Sequence, residues 1–87
     1  MFHVYVIQTV DSERKIYIGC SRDVKRRLRE HNTQGSSGYT HNKKWRLVYC
    51  ESYLSETDAR ERERKLKHDG RSRYQMMKRI NGSLAVN

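Results

Sequence analysis

The sequence predicts an α+β domain, a three-stranded and mainly antiparallel sheet flanked by three helices in the order β-β-α-β-α-α. Three observations predict it. Two β-branched and aromatic runs, "FHVYVIQ" and "IYIG", stand close together at the N-terminus. A third such run, "WRLVYCE", follows a glycine-containing stretch. Between and after these runs, apolar residues recur at helical spacing behind capping residues.

"FHVYVIQ" is apolar on both faces, which reads as a central strand. "TVDSERK" is a polar turn and "IYIG" alternates, so residues 2–19 read as a β-hairpin. Ser21 is placed to cap a helix from Arg22 to about Asn32. "TQGSSGYTHNKK" has no apolar period and reads as a loop, long enough for a small domain to suggest a function. "WRLVYCE" alternates again as the third strand. Ser55 with Asp58 resembles a capping box, opening a helix that stops at Gly70. Ser72 with Gln75 repeats the start signal, and Asn81-Gly82 supplies a stop. One domain over residues 1–82 and a frayed tail over 83–87 are expected.

A chain of 87 residues makes one domain with a small core. Hydrophobic residues are 34% and charged residues 33%, so a polar side chain placed inside needs a reason. The 19 lysines and arginines exceed the 10 acids to give +9, a surface that attracts polyanions, nucleic acid ahead of anionic membrane. "MFHVYVI" lacks the features of a signal peptide and no apolar run is long enough to span a bilayer, so a cytoplasmic protein away from membranes is expected. Cys20 and Cys50 lack C-x-x-C spacing and fit free thiols in a reducing compartment. None of the four histidines pairs with a cysteine at zinc-ligand spacing.

Helical residues advance by roughly 100° each. In the first helix Val24 and Leu28 define the apolar stripe, and Arg27 and His31 fall within about 60° of Val24. Lys25, Arg26, Arg29 and Glu30 point away, onto a solvated face. A buried arginine is costly unless it is paired or meets an anionic ligand. In the second helix Ala59 and Leu66 mark the inner stripe and Glu63 lies between them, facing inward. One reading of Glu63 is an ion pair with Arg27. Tyr5 shares a strand face with His3 and Ile7, and Tyr17 shares one with Gly19, whose missing side chain leaves room for an approach. Two tyrosines, an arginine, a histidine and one carboxylate on inner faces of a basic domain form a constellation that the core alone does not require.

That constellation resembles the GIY-YIG nuclease superfamily. Tyr17-Ile18-Gly19 stands as the second half of the signature, and His3-Val4-Tyr5 as the first, with histidine where the name-giving glycine would be. "CSRDVKRRLREHN" resembles the family's first helix, with its arginine at Arg27 and histidine at His31. "ARERERKLK" resembles the A-x-x-x-E-x-x-L-K helix, with the metal-binding glutamate at Glu63. The similarity runs from about Phe2 to Ile80 and is closest to the small stand-alone bacterial members, cousins of excision-repair and homing endonuclease domains. Many members carry a late active-site asparagine, for which Asn81 is the candidate here, at a long spacing from Glu63.

The resemblance implies metal-dependent phosphodiester hydrolysis. Glu63 would hold one Mg²⁺ or Mn²⁺, Arg27 would contact the scissile phosphate, Tyr17 or Tyr5 would take the proton of the attacking water, and His31 would orient a tyrosine or relay its proton. A tyrosine pKa of about 10 makes the bare phenol a poor base, so its neighbours must help. Lys25, Arg26, Arg29, Lys43, Lys44, Arg71 and Arg73 are candidates to track phosphates, and Tyr39 and Thr40 to contact substrate from the loop. DNA, structured or damaged, is the favoured substrate, and the protein is expected to be a monomer or weak dimer, with room for a targeting partner. The rival expectations are a binding module without catalysis and a subunit active only beside a partner protein.

Overall fold

The computed structural model describes residues 1–33 and 43–86. The elements are β1 (Phe2–Thr9), β2 (Ile16–Ser21), α1 (Val24–His31), β3 (Trp45–Tyr53), α2 (Glu56–His68), α3 (Gly70–Arg79) and α4 (Asn81–Leu84). Strand order is β2-β1-β3, and β1 runs antiparallel to both neighbours. The α+β architecture expected from the sequence is thus present, with one further helical turn, α4.

The alternation of β1 divides the interior into two cores, since successive side chains leave opposite faces of the sheet. Val4 and Val6 join Ile18 beneath Ala59, Leu66, Met76 and Ile80 of the α2–α3 side. Tyr5 and Ile7 join Trp45 on the other face, where Tyr17, Val24 and Leu28 pack. Helices on both faces explain why β1 carries apolar residues at consecutive positions. Between Val6 and Ile7 the pairing with β3 slips by one residue, which makes Val48 a bulge.

Local chemistry decides the boundaries. In the hairpin turn Asp11 Oδ1 accepts from the amides of Glu13 and Arg14 and from the Thr9 hydroxyl, and Arg14 adopts a left-handed φ of 52°. Helix α1 starts at Val24 rather than Arg22 because Asp23, not Ser21, supplies the cap, accepting from Arg26 N at 3.0 Å. Ser21 instead accepts from Asp23 N. Ser55 caps α2 as expected, accepting from Asp58 N. Asp69 alone separates α2 from α3. Its amide closes α2 on Lys65 O at 2.8 Å, and its carboxylate caps α3 on Arg71 N at 3.1 Å. Ser72, expected as that cap, donates its hydroxyl to Asp69 instead. A carboxylate competes well for a helix N-terminus because its charge also meets the positive end of the dipole.

Two ties set the position of α2 and the chain end. Glu51 of β3 takes a two-pronged contact from Arg62 of α2, at 2.9 and 3.0 Å, and accepts from the hydroxyls of Tyr49 and Tyr53. With Arg62 turned to β3, Glu63, about 100° further round, is turned toward β2. Ser83 and Leu84, placed in the tail by the sequence, lie in α4, and the Leu84 carbonyl accepts from Arg14 at 3.0 Å. Among the described residues no helix is long and apolar enough to cross a membrane.

Candidate active site

Gly19 is the first requirement of the site. It pairs directly with Tyr5 across the hairpin, and a Cβ there would run into the Tyr5 Oη and Cζ atoms. The room expected at Gly19 is therefore taken by the Tyr5 ring, folded flat over its partner strand. Tyr17 pairs with Ile7, so the two tyrosines stand diagonally, with centroids 6.5 Å apart. Trp45 closes the far side of Tyr17 at 6.3 Å.

The last turn of α1 brings His31 onto both rings. Its Nε2 lies 2.9 Å from Tyr5 Oη, and its ring centroid is 4.9 Å from that of Tyr17. Asn32 holds this helix end in place by pairing with the backbone of Trp45 like an extra strand residue. Its Nδ2 donates to Trp45 O at 2.9 Å and its Oδ1 accepts from Trp45 N at 2.6 Å. Arg27, one turn earlier, is near enough for its charge to act on the Tyr5 phenol, and it donates to Glu30 Oε1 at 2.5 Å. The sequence placed Glu30 on the solvated face. The structure makes it the partner of both Arg27 and Arg26, because an i+3 side chain can lean across the helix.

Glu63 reaches the same place from α2. Glu56, Arg60, Glu63 and Lys67 line the side of α2 that passes the edge strand β2, near enough for their charges to act on the Cys20 thiol. An edge strand has no neighbour to block them, so α2 side chains bend round it toward the tyrosine face. The Lys67 ammonium stands 3.1 Å from Glu63 Oε2 and 5.5 Å from the Tyr17 ring centroid, joining the two. Glu63 is not the partner of Arg27. Its neighbours are Lys67 and, at 3.5 Å, Arg60.

Electrostatics separate the roles of these groups. Burial drives the Tyr5 phenol up to about 12, against the opposing charge of Arg27. Burial, followed by the charge of Arg27, pushes His31 below its ordinary value of 6.5. Both shifts favour a neutral phenol beside a neutral imidazole, joined through Tyr5 Oη and His31 Nε2. A titration checks this. The unfolded chain takes up a proton on His31 near pH 6.5 while the folded chain resists, so the stability held by neutral His31 is full above about pH 6.5 and is lost as pH falls. The thermal midpoint should drop between pH 7 and 5.5, and His31→Gln should flatten that slope. An unchanged slope in the variant would place the titration elsewhere.

Every residue of this cluster falls within residues 1–78, the span matched by the family model of the GIY-YIG catalytic domain. The chain belongs to the GIY-YIG family. It is similar to a UPF0213 protein of Halobacterium salinarum, with 35% identity over 78 residues, 88% of this chain and 99% of that one. A UPF0213 protein of Limosilactobacillus reuteri is 34% identical over 73 residues, 80% of this chain and 74% of its own. One of Haloquadratum walsbyi is 32% identical over 76 residues, 86% and 83% of the two chains. No solved structure matches the chain.

The other residues expected in this GIY-YIG domain's function lie on several elements, and of them Arg73 shares a groove with Tyr17 and Lys67. Lys25, Arg26 and Arg29 are exposed on α1, Lys44 is exposed and Lys43 half-buried before β3, and Arg71 and Arg73 are exposed on α3. Tyr39 and Thr40 lie outside the described residues. Asn81 is exposed at the head of α4, in a groove with Tyr74, Met77, Lys78 and Leu84. Among the described residues no group of three His, Cys, Asp or Glu side chains gathers as a metal cage. The single carboxylate of Glu63, with a side chain 16% exposed and already drawing two cations, suits a hard ion that keeps most of its waters and completes its shell with phosphate oxygens. Sequence reading missed Asn32 and Lys67. The i+4 spacing from Glu63 signals Lys67, whereas nothing local signals that Asn32 will meet the backbone of β3.

Proposed function

We propose that the protein is a GIY-YIG endonuclease that hydrolyses phosphodiester bonds in nucleic acid, DNA in preference, with Glu63 holding one Mg²⁺ or Mn²⁺. The observation that carries this reading is that Lys67 of α2 links Glu63 to the Tyr17 ring, while His31 of α1 bonds to Tyr5 beside it and the charge of Arg27 acts on that phenol. A bound ion supplies Lewis-acid stabilisation of charge on the phosphate. Arg27, fixed by Glu30, presents its guanidinium to the scissile phosphate, where a fork of donors suits developing negative charge. The buried Tyr5 phenol holds its proton, so Tyr5 positions rather than accepts. Tyr17, half-buried and facing the cleft, is left to take the proton of the attacking water. His31 keeps both rings in register. The exposed cations of α1 and α3 hold flanking phosphates without reading sequence.

An assay over linear, nicked and branched DNA, single strands and RNA tests this. Cleavage should require Mg²⁺ or Mn²⁺ and stop with chelator, and affinity should fall steeply between about 50 and 200 mM salt through counterion release from a +9 surface. Salt-sensitive binding with no cleavage of any substrate, under either ion, would convert the reading to a binding module.

A further inference from the structure

Lys67 differs from an ordinary surface lysine. A Glu–Lys pair four residues apart on a helix usually holds both heads in solvent. Here the Glu63 side chain is 16% exposed and Lys67 36%, and the ammonium leans inward onto Tyr17. Each carboxylate oxygen of Glu63 has its own cation, Lys67 on Oε2 at 3.1 Å and Arg60 on Oε1 at 3.5 Å. Arg60 is 57% exposed and also reaches Glu56 at 3.6 Å, so it has another partner on the same helix. Among the described residues, Glu63 is the one carboxylate with which Lys67 forms an ion pair.

We propose that Lys67 is the resident counter-ion of Glu63 and exchanges with the divalent ion, so that the ion loads tightly only when a nucleic-acid phosphate takes over the ammonium. The proposal rests on the reading of Glu63 as the ion's ligand. A Mg²⁺ bound to Glu63 would sit about 2.0–2.1 Å from the carboxylate oxygen. An ammonium left 3.1 Å from that oxygen would then face a divalent charge across one carboxylate, in a domain of net charge +9. Among the described residues no cluster of further carboxylates stands there to offset it. A phosphate in the cleft supplies the missing negative charge. Lys67 can follow it, because a flexible four-carbon stem carries three rotatable donors, and Tyr17 lies on its path into the cleft. Linkage makes the coupling reciprocal: the ion tightens nucleic-acid binding by the same factor as nucleic acid tightens the ion.

The test is Mn²⁺ binding to the free protein, followed by electron paramagnetic resonance without nucleic acid, for wild type, Lys67→Met, Lys67→Arg and Glu63→Gln. Thermal melts confirm that each variant is folded. Lys67→Met should bind Mn²⁺ at least tenfold more tightly than wild type, Lys67→Arg should stay near wild type, and Glu63→Gln should lose binding. Equal affinity in Lys67→Met and wild type, with binding lost in Glu63→Gln, overturns the exchange and leaves Glu63 as the ligand. Undiminished binding in Glu63→Gln overturns the ligand reading, and the exchange with it. No binding in any variant, Lys67→Met included, also overturns the exchange.

Discussion

Glu63→Gln should lower metal-dependent cleavage about a thousandfold while the protein stays folded. The amide keeps the size and reach of the carboxylate but removes the charge that would hold the ion. Metal-ion stabilisation of the transition state is worth several kcal/mol, and about 4 kcal/mol corresponds to ~10³ in rate. The structure limits the accompanying loss of stability. Were Glu63 the partner of a buried Arg27, its loss would cost roughly 3–5 kcal/mol. Arg27 is held by Glu30 instead, and Glu63 gives up only the helical pairs with Arg60 and Lys67. Such pairs are worth about 0.2–0.5 kcal/mol each, so the thermal midpoint should move little. Nucleic-acid binding should hold or tighten, since a repulsive charge has left a basic surface. Thermal denaturation beside single-turnover cleavage separates the two effects. A folded variant cleaving at the wild-type rate would remove Glu63 from the mechanism.

Gly19→Ala should damage both stability and activity through a single methyl group. The added Cβ falls on Tyr5 Oη and Cζ, and Tyr5 is 1% exposed. The ring cannot swing outward without giving up its buried hydrogen bond to His31 Nε2. Overpacking costs about 1–3 kcal/mol, and a lost hydrogen bond about 0.5–1.5 kcal/mol more. Catalysis should fall about a hundredfold, the scale of loss when reacting groups are misplaced by roughly 1 Å. A denaturant titration and cleavage rates read both. Wild-type values for each would mean that the hairpin can part without disturbing Tyr5, and that the glycine of the motif is not there to seat the tyrosine.

Much of the fold and part of the site were legible along the chain. The apolar residues of β1 on both faces announced a central strand, and the structure covers it with helices on either side. Helical spacing brought Arg27 and His31 to one stripe and turned Glu63 inward, as observed. Helix starts were less legible, because Ser21 and Ser72 compete with nearby aspartates and the stronger acceptor won at Asp23 and Asp69. The partner of Arg27 stayed open for a related reason, and Glu30 was not among the candidates. A helical wheel records the direction of a Cβ, not how far a glutamate can lean to meet a guanidinium three residues away.

The sequence by itself determined which side chains face inward, because that depends on local periods of about 100° and 180° per residue, set by backbone sterics. Only the tertiary structure decided what those side chains meet and which protons they carry. Tyr5 and Gly19 are neighbours through strand register, and Lys67 reaches Tyr17 only because β2 is an edge. Sequence alone could not say which tyrosine is the base, and the family resemblance leaned only slightly toward Tyr17. Packing adds what no local pattern carries, since desolvation depends on everything that surrounds a group, and it is burial that drives the Tyr5 phenol up to about 12.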